Sequence, residues 1–176
     1  MSYDFVGKIL KKRRHKIVLP HIKGKLLDIG CGTNLFSKLY KGKTTGIDTH
    51  SWKNIDYVVK DSSRLDFKDK SFDTITIIAA LNHFSNRKAV LKECHRLLKD
   101  NGRLIITMIP HKFGKFWHFI RKPFDEDQKI RKMKKGEVYG ISIKEINSLL
   151  DQSDFHVVKR KKFMFGINNL IISMKK

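Results

Sequence analysis

Asp28-Ile29-Gly30-Cys31-Gly32-Thr33-Asn34 places two glycines two residues apart behind a short apolar run, with a carboxylate two positions before the first of them. Glycines so spaced let a chain turn sharply and bring its backbone close to a ligand. The acid selects the ligand. At ~6 Å and an effective dielectric of ~20, a carboxylate repels one unit of negative charge by on the order of 3 kcal/mol. A diphosphate is disfavoured by that amount, and a cationic group such as a sulfonium or ammonium is favoured. Asp48 follows Gly30 by 18 residues at the end of a second apolar run. There a carboxylate can accept both hydroxyls of a ribose, through charge-assisted bonds of ~1.5–3 kcal/mol. Asp61 ends a third run, followed by Ser62, a pair placed to meet an adenine edge. One such acid alone is as readily a solvated loop residue or a helix cap. Three at the ends of three successive strands describe a site for a positively charged nucleoside.

His83, in Asn82-His83-Phe84, follows a fourth run and stands where a reacting partner would lie. It is the candidate catalytic residue, accepting a proton from an acceptor hydroxyl or orienting it; the alternative is a structural histidine capping the next helix. Cys31 lies inside the glycine turn, where a small apolar filler is its simplest role. The eight His residues show no spacing with Cys or carboxylates that would make a metal site, and none is expected.

The elements that must position these residues are legible as alternating periods. Residues 25–30, 44–48, 55–60, 72–81 and 104–109 read as strands, the fourth β-branched enough to be buried on both faces. Residues 35–40 read as a short helix. In 87–99, Val90, Leu91, Cys94, Leu97 and Leu98 form a helical stripe, with Asn101-Gly102 as the expected stop. Ser142 and Glu145 have the spacing of a capping box for a helix through Leu150. Residues 155–163 and 169–174 read as an antiparallel hairpin turning near Gly166. Strands alternating with helices predict a doubly wound, mostly parallel α/β sheet, Rossmann-like, with that hairpin at its C-terminal end.

Composition bounds the rest. The chain has 176 residues, 40% of them hydrophobic and 31% charged, which suits one globular domain and excludes disorder. Two cysteines make no disulfide framework, and the start of the chain lacks an apolar signal core; a cytoplasmic protein is expected. The net charge of +21 comes from 29 Lys and 9 Arg against 17 acids. It is densest in residues 1–24, a basic N-terminal arm with Phe5, Ile9 and Leu10 that could close over the ligand, and in residues 110–141. The latter segment is too long for an ordinary connection and reads as a lid or substrate insertion. Phe113, Phe116, Trp117 and Ile120 form a helical stripe there, beside Lys112, Lys115, Arg121 and Lys122. An anionic membrane surface or RNA is a candidate partner for these basic regions.

Leu27-Asp28-Ile29-Gly30-Cys31-Gly32-Thr33 resembles the signature of the class I S-adenosylmethionine-dependent methyltransferases, particularly their small-molecule branch. The resemblance covers residues 24–109 closely and 137–176 more loosely. It implies S-adenosylmethionine as cofactor, with Asp28, Gly30, Cys31, Gly32 and Asn34 around its methionine part, Asp48 on the ribose and Asp61 by the adenine. It also implies that Ile78 and Ala79 line the methionyl end, and that 138–146 leads to the sixth strand through a turn at Ser153-Asp154-Phe155. One position departs: Asn34 stands where the motif has its third glycine, and Asn tolerates the left-handed backbone better than other side chains. The implied reaction is methyl transfer to a small molecule, at an oxygen of a lipid, quinol or sugar-like acceptor.

Three alternatives remain at this point. RNA methylation is favoured by the charge, but there is no Asn/Asp-Pro-Pro-Tyr and neither cysteine follows a proline. A nicotinamide oxidoreductase is opposed by Asp28 and by the missing third glycine. A non-catalytic binding module of the same fold is opposed by the intact Asp28, Asp48 and Asp61.

Overall fold

A computed structural model describes residues 5–110, 136–138 and 140–176. In chain order the elements are α1 (Phe5–Val18), β1 (Leu26–Ile29), β2 (Thr44–Asp48), β3 (Tyr57–Val58), β4 (Phe72–Ile78), α2 (Arg87–Leu97), β5 (Leu98–Met108), α3 (Ile143–Asp151), β6 (Phe155–Phe163) and β7 (Asn168–Lys175). The strands form one sheet in the order β3-β2-β1-β4-β5-β7-β6. β1 to β5 are parallel, and β7 pairs antiparallel with both β5 and β6. The doubly wound Rossmann-like sheet with a C-terminal antiparallel hairpin is therefore as expected.

Alternation along the strands builds two cores. Leu27, Ile75, Ile77, Leu104, Ile106 and Ile171 face one side, where α2 supplies Val90, Leu91, Cys94 and Leu97 and α3 supplies Ile146 and Leu150. Their strand neighbours Leu26, Ile105, Leu170 and Ile172 face the other side, against Val18, Ile22 and Phe36. Burial on both faces is why these strands read as continuous apolar runs.

Four boundaries differ from the sequence reading. The six residues 35–40 form only a 3-10 turn, Ser37–Leu39, because of their apolar side chains only Phe36 is buried while Leu35 and Leu39 are exposed. The third strand shrinks to Tyr57–Val58, an exposed edge. β4 ends at Ile78, since Ala79 turns left-handed at φ +53°. Asn101-Gly102 does not stop α2 but lies within β5. The helix ends earlier because the N–H groups of Lys70 and Ser71 take the carbonyls of Arg96 and Leu97, at 3.0 and 2.9 Å, and draw Leu98 into pairing with Phe72.

Ser142 caps α3 as expected, its hydroxyl accepting the Glu145 N–H at 3.1 Å. The stripe of Phe113, Phe116, Trp117 and Ile120, with its flanking lysines and Arg121, lies outside the described residues. Among the described residues, no helix is long and apolar enough to cross a membrane.

Candidate cofactor site

The sheet order reverses between β1 and β4, the switch point at which open α/β sheets take ligands beyond the carboxyl ends of their strands. The turn after β1 lies at that point. The N–H groups of Gly30 and Cys31 both donate to the Ile47 carbonyl, at 2.8 and 3.1 Å, which locks the turn onto the end of β2. Gly30 sits at φ +73°, and a Cβ there would lie 2.6 Å from the Ala80 Cβ, so the loops after β1 and β4 touch. Gly32, at φ +55°, is different: a Cβ on it would meet nothing within 4 Å. Open space thus begins at Gly32, beside Asp48.

Asp48 is 6% exposed. It accepts the Gly32 N–H at 3.0 Å on one oxygen and the His50 N–H at 3.1 Å on the other. A carboxylate has about four acceptor positions, so two bonds fix its orientation and leave capacity for a diol. Burial, the backbone bonds and the adjoining open space together fit a ribose.

Asp28 is buried more deeply than its sequence position suggests. It is 2% exposed and accepts the Thr76 hydroxyl at 2.6 Å. Burial pushes its pKa up to about 7; the neighbouring Asp48 raises it further, and Thr76 and Lys11 pull the other way. The full negative charge expected at the turn is therefore suppressed near neutrality until a cation arrives. A raised folded-state pKa means that Asp28 contributes stability below about pH 4 and loses it as pH rises toward 7. Asp28→Asn is expected to exceed the parent in stability at pH 8 by on the order of 2–4 kcal/mol, with the gap closing below pH 4. Urea titrations from pH 4 to 8 measure this, and parallel pH profiles for the two proteins would refute it.

Asn34 turns left-handed at φ +54° and is 2% exposed. Its amide donates to the Asn54 carbonyl at 2.9 Å and to Asp56 at 3.1 Å, and the same Asp56 oxygen accepts the Gly46 N–H at 2.6 Å. A Cβ on Gly46 would lie 2.2 Å from the Asn34 side-chain oxygen. Gly46 thus supplies the room that a third glycine would have left. Asp56, which the sequence reading passed over, is the residue that ties this arrangement together.

Burial raises the Cys31 thiol well above its ordinary range, helped by Asp28, Asp48 and Asp56, which suits a filler and not a nucleophile. Thr33 accepts a bond from Lys11 of α1 at 3.1 Å. His15, one turn further along α1, is buried against Phe36; burial, Lys11 and Arg14 lower its pKa to about 4 and keep it neutral. The basic arm is thus, from Phe5 onward, a helix seated on the glycine turn.

Asp61 and Ser62 lie beyond the shortened β3. Asp61 is exposed, and its carboxyl is held below the usual carboxylate range first by the Ser63 N–H at 2.8 Å, then by the Ser63 hydroxyl and Asn86. Ser62 is buried, and among the described residues its hydroxyl has no hydrogen-bond partner. The Asp61 and Ser63 bonds tie this loop to Asn86, the N-cap of α2, and not to Asp28 or Asp48. Ile78 and Ala79 close β4 at the switch point, with the Ala79 N–H on the Thr107 carbonyl at 2.9 Å.

His83 ends the 3-10 turn Leu81–His83. Its Nδ1 is 3.4 Å from Glu137, a carboxylate whose side chain is 2% exposed. Its Nε2 is 3.3 Å from the Asn82 amide, which also donates to the Val138 carbonyl at 3.1 Å. An acid facing Nδ1 and an amide N–H facing Nε2 select the tautomer protonated on Nδ1. Nothing in the sequence links Glu137 to a residue 54 positions earlier; only the fold joins them.

A methyltransferase-domain family model matches residues 27–106, the span from β1 into β5. A demethylmenaquinone methyltransferase of Thermotoga maritima is 35% identical over 60% of this chain, an alignment that spans 56% of that relative's length. One from Staphylococcus epidermidis is 27% identical over 97% of this chain and 82% of its own. Among solved structures, a Pyrococcus horikoshii protein superposes with a TM-score of 0.71 at 21% identity, covering 99% of this chain and 92% of that one. A Thermotoga maritima S-adenosylmethionine-dependent methyltransferase, described as a possible histamine N-methyltransferase, gives 0.69 at 20% identity, with 98% and 97% covered. At such identities the superpositions speak for the fold. The domain match runs through the crossover just described: residues 27–106 are similar to a methyltransferase domain, and the whole chain shares the fold of these solved structures.

Proposed function

We propose that this chain methylates a small-molecule acceptor with an acidic hydroxyl, of which a quinol is the best-supported class. Asp28 and Asp48 carry the cofactor half of the assignment: two buried carboxylates close on one glycine turn at the sheet's switch point, with open space at Gly32. Asp48 holds the ribose hydroxyls. Asp28, acting through the turn of Gly30, Cys31, Gly32 and Asn34, makes the methionyl end favourable to positive charge. The Ser62 hydroxyl and the Asp61 loop stand at the adenine, and Ile78 and Ala79 line the methionyl side. When bound, S-adenosylmethionine supplies an electrophilic methyl group on a sulfonium with a good leaving group, so positioning provides much of the acceleration.

His83 takes the acceptor hydroxyl proton at Nε2, where the hydroxyl displaces the Asn82 amide, which keeps its bond to the Val138 carbonyl, and Glu137 faces the imidazolium that results. The deprotonated quinol is nucleophilic at oxygen and at the adjacent ring carbon, so one base serves either outcome. The names of the demethylmenaquinone methyltransferase relatives support a quinol-type acceptor. His83→Ala is expected to lower kcat by about 10²–10³ while S-adenosylhomocysteine affinity changes less than twofold. A fall smaller than tenfold would give His83 a purely structural role. The reaction itself is tested by mass analysis of a reduced naphthoquinone incubated with S-adenosylmethionine, alongside calorimetry with S-adenosylhomocysteine and NADH. Tight NADH binding without S-adenosylhomocysteine binding would overturn the proposal.

A further inference from the structure

The hairpin of β6 and β7 ends on the same edge of the sheet as the cofactor site. β7 runs antiparallel to β5, and Asn169 pairs with Met108 at the carboxyl end of β5. The turn at 164–167 therefore projects beyond the carboxyl ends of the parallel strands, where the glycine turn and the loop after β4 also lie. In that turn Met164 and Phe165 both adopt left-handed backbone, at φ +55° and +56°. Each non-glycine residue held there costs roughly 1–2 kcal/mol. The conformation leaves the Phe165 ring fully exposed at the tip. The turn itself is closed by the Ile167 N–H on the Met164 carbonyl at 3.1 Å, and positive φ at Phe165 and Gly166 is what such a hairpin turn requires. It is the large apolar ring presented to water that has no packing role in the fold.

The surroundings of this ring are basic. Lys161 and Lys162 precede the turn and are exposed, and no acid occurs from Phe155 to the last residue. The middle of α1 reaches the same edge: Lys11 bonds to Thr33 in the glycine turn, and Arg14 donates to Asn168 at the base of the hairpin at 3.2 Å. Lys12 is exposed on that helix and Ile9 is half exposed beside it, while Leu35, next to Asn34, is about half exposed as well. Apolar side chains thus protrude at three places on one edge, among lysines (Lys12, Lys161 and Lys162) that make no ion pair with the described residues.

We infer that this edge docks on an anionic lipid bilayer, with Phe165 inserted at the headgroup boundary and Lys161, Lys162 and Lys12 on the lipid phosphates. A bilayer fits better than the other occupants. A second copy of the chain would bring a second charge of +21 against the first. Single-stranded RNA is bound along grooves in which several aromatic rings stack on bases, whereas here one ring caps a convex hairpin. Ammonium groups around a protruding aromatic ring are the chemistry of interfacial binding. Docking does not depend on the proposed reaction; its benefit does, because the crossover edge would then face an acceptor dissolved in the membrane.

The test is sedimentation of the full chain with vesicles of phosphatidylcholine alone or mixed with phosphatidylglycerol, at ~50 mM and ~300 mM salt. Binding is expected only to the mixed vesicles and is expected to weaken at the higher salt. Phe165→Ser should weaken it about tenfold. The double substitution Lys161→Glu with Lys162→Glu should weaken it at least 25-fold, from about fivefold for each lysine lost. S-adenosylhomocysteine binding, measured on the same preparations, should be unchanged in the variants. Absence of vesicle binding, or binding indifferent to both variants, overturns the docking, as does an RNA affinity that the same substitutions abolish in place of vesicle binding. Retained S-adenosylhomocysteine binding in that event leaves the proposed reaction standing; its absence strikes the reaction alone.

Discussion

Asp48→Ala is expected to weaken S-adenosylhomocysteine binding by about 100- to 1000-fold. Two bonds to a ribose diol, each charge-assisted at ~1.5–3 kcal/mol, account for a loss of that size. The carboxylate has a second task, since it holds the Gly32 N–H at 3.0 Å and so shapes the turn on which the ligand rests. Asp48→Asn separates the two tasks. An amide oxygen still accepts from Gly32, but the neutral side chain forms weaker bonds to the diol, so an intermediate loss of about tenfold is expected. Asp48→Ala also leaves the Gly32 and His50 N–H groups without their carboxylate, so the variant without ligand should be less stable than the parent. Calorimetry and thermal melts on the same samples decide it. A loss smaller than fivefold for Asp48→Ala would put the ribose elsewhere.

Gly30→Ala carries the largest expected effect on stability. The left-handed backbone at φ +73° costs a side chain about 1–2 kcal/mol. The added Cβ would also lie 2.6 Å from the Ala80 Cβ, an overlap that forces the two crossover loops apart at a further 1–3 kcal/mol. Together they predict a loss of about 2–5 kcal/mol and a fall in Tm of about 5–15 °C. Adding Ala80→Gly should restore the steric part and leave the backbone part, which a double-mutant cycle reads directly. Gly32→Ala is the natural comparison, because the space before it is open and only the backbone strain applies. Equal losses at Gly30 and Gly32 would mean that the two loops do not touch.

Much of the molecule could be read along the chain. Short apolar runs mark β1, β2, β4, β5 and the hairpin, because a strand covered on both faces is apolar at neighbouring positions whatever it packs against. The glycine spacing and the acids at 28 and 48 likewise identify the turn, since a strand end places its last residues wherever the strand goes. Segment ends were less legible. Where α2 stops depends on the N–H groups of Lys70 and Ser71 arriving from another part of the chain, and the third strand is short because it ended up on an edge.

The chemistry of the individual groups came only from the folded arrangement. Asp28 reads as a charge in sequence, yet its burial brings its pKa up to about 7 in spite of the bond from Thr76, because ionisation depends on surrounding atoms and not on residue type. Asn34 is acceptable because Gly46, on another strand, lacks a side chain. Glu137 faces His83 across 54 residues, and Phe165 shares an edge with the glycine turn only because β7 runs backwards against β5. Residue types and local periodicity therefore determine which elements form and which groups are available. Packing in three dimensions decides which of those groups meet, how much water each keeps and hence what charge it carries.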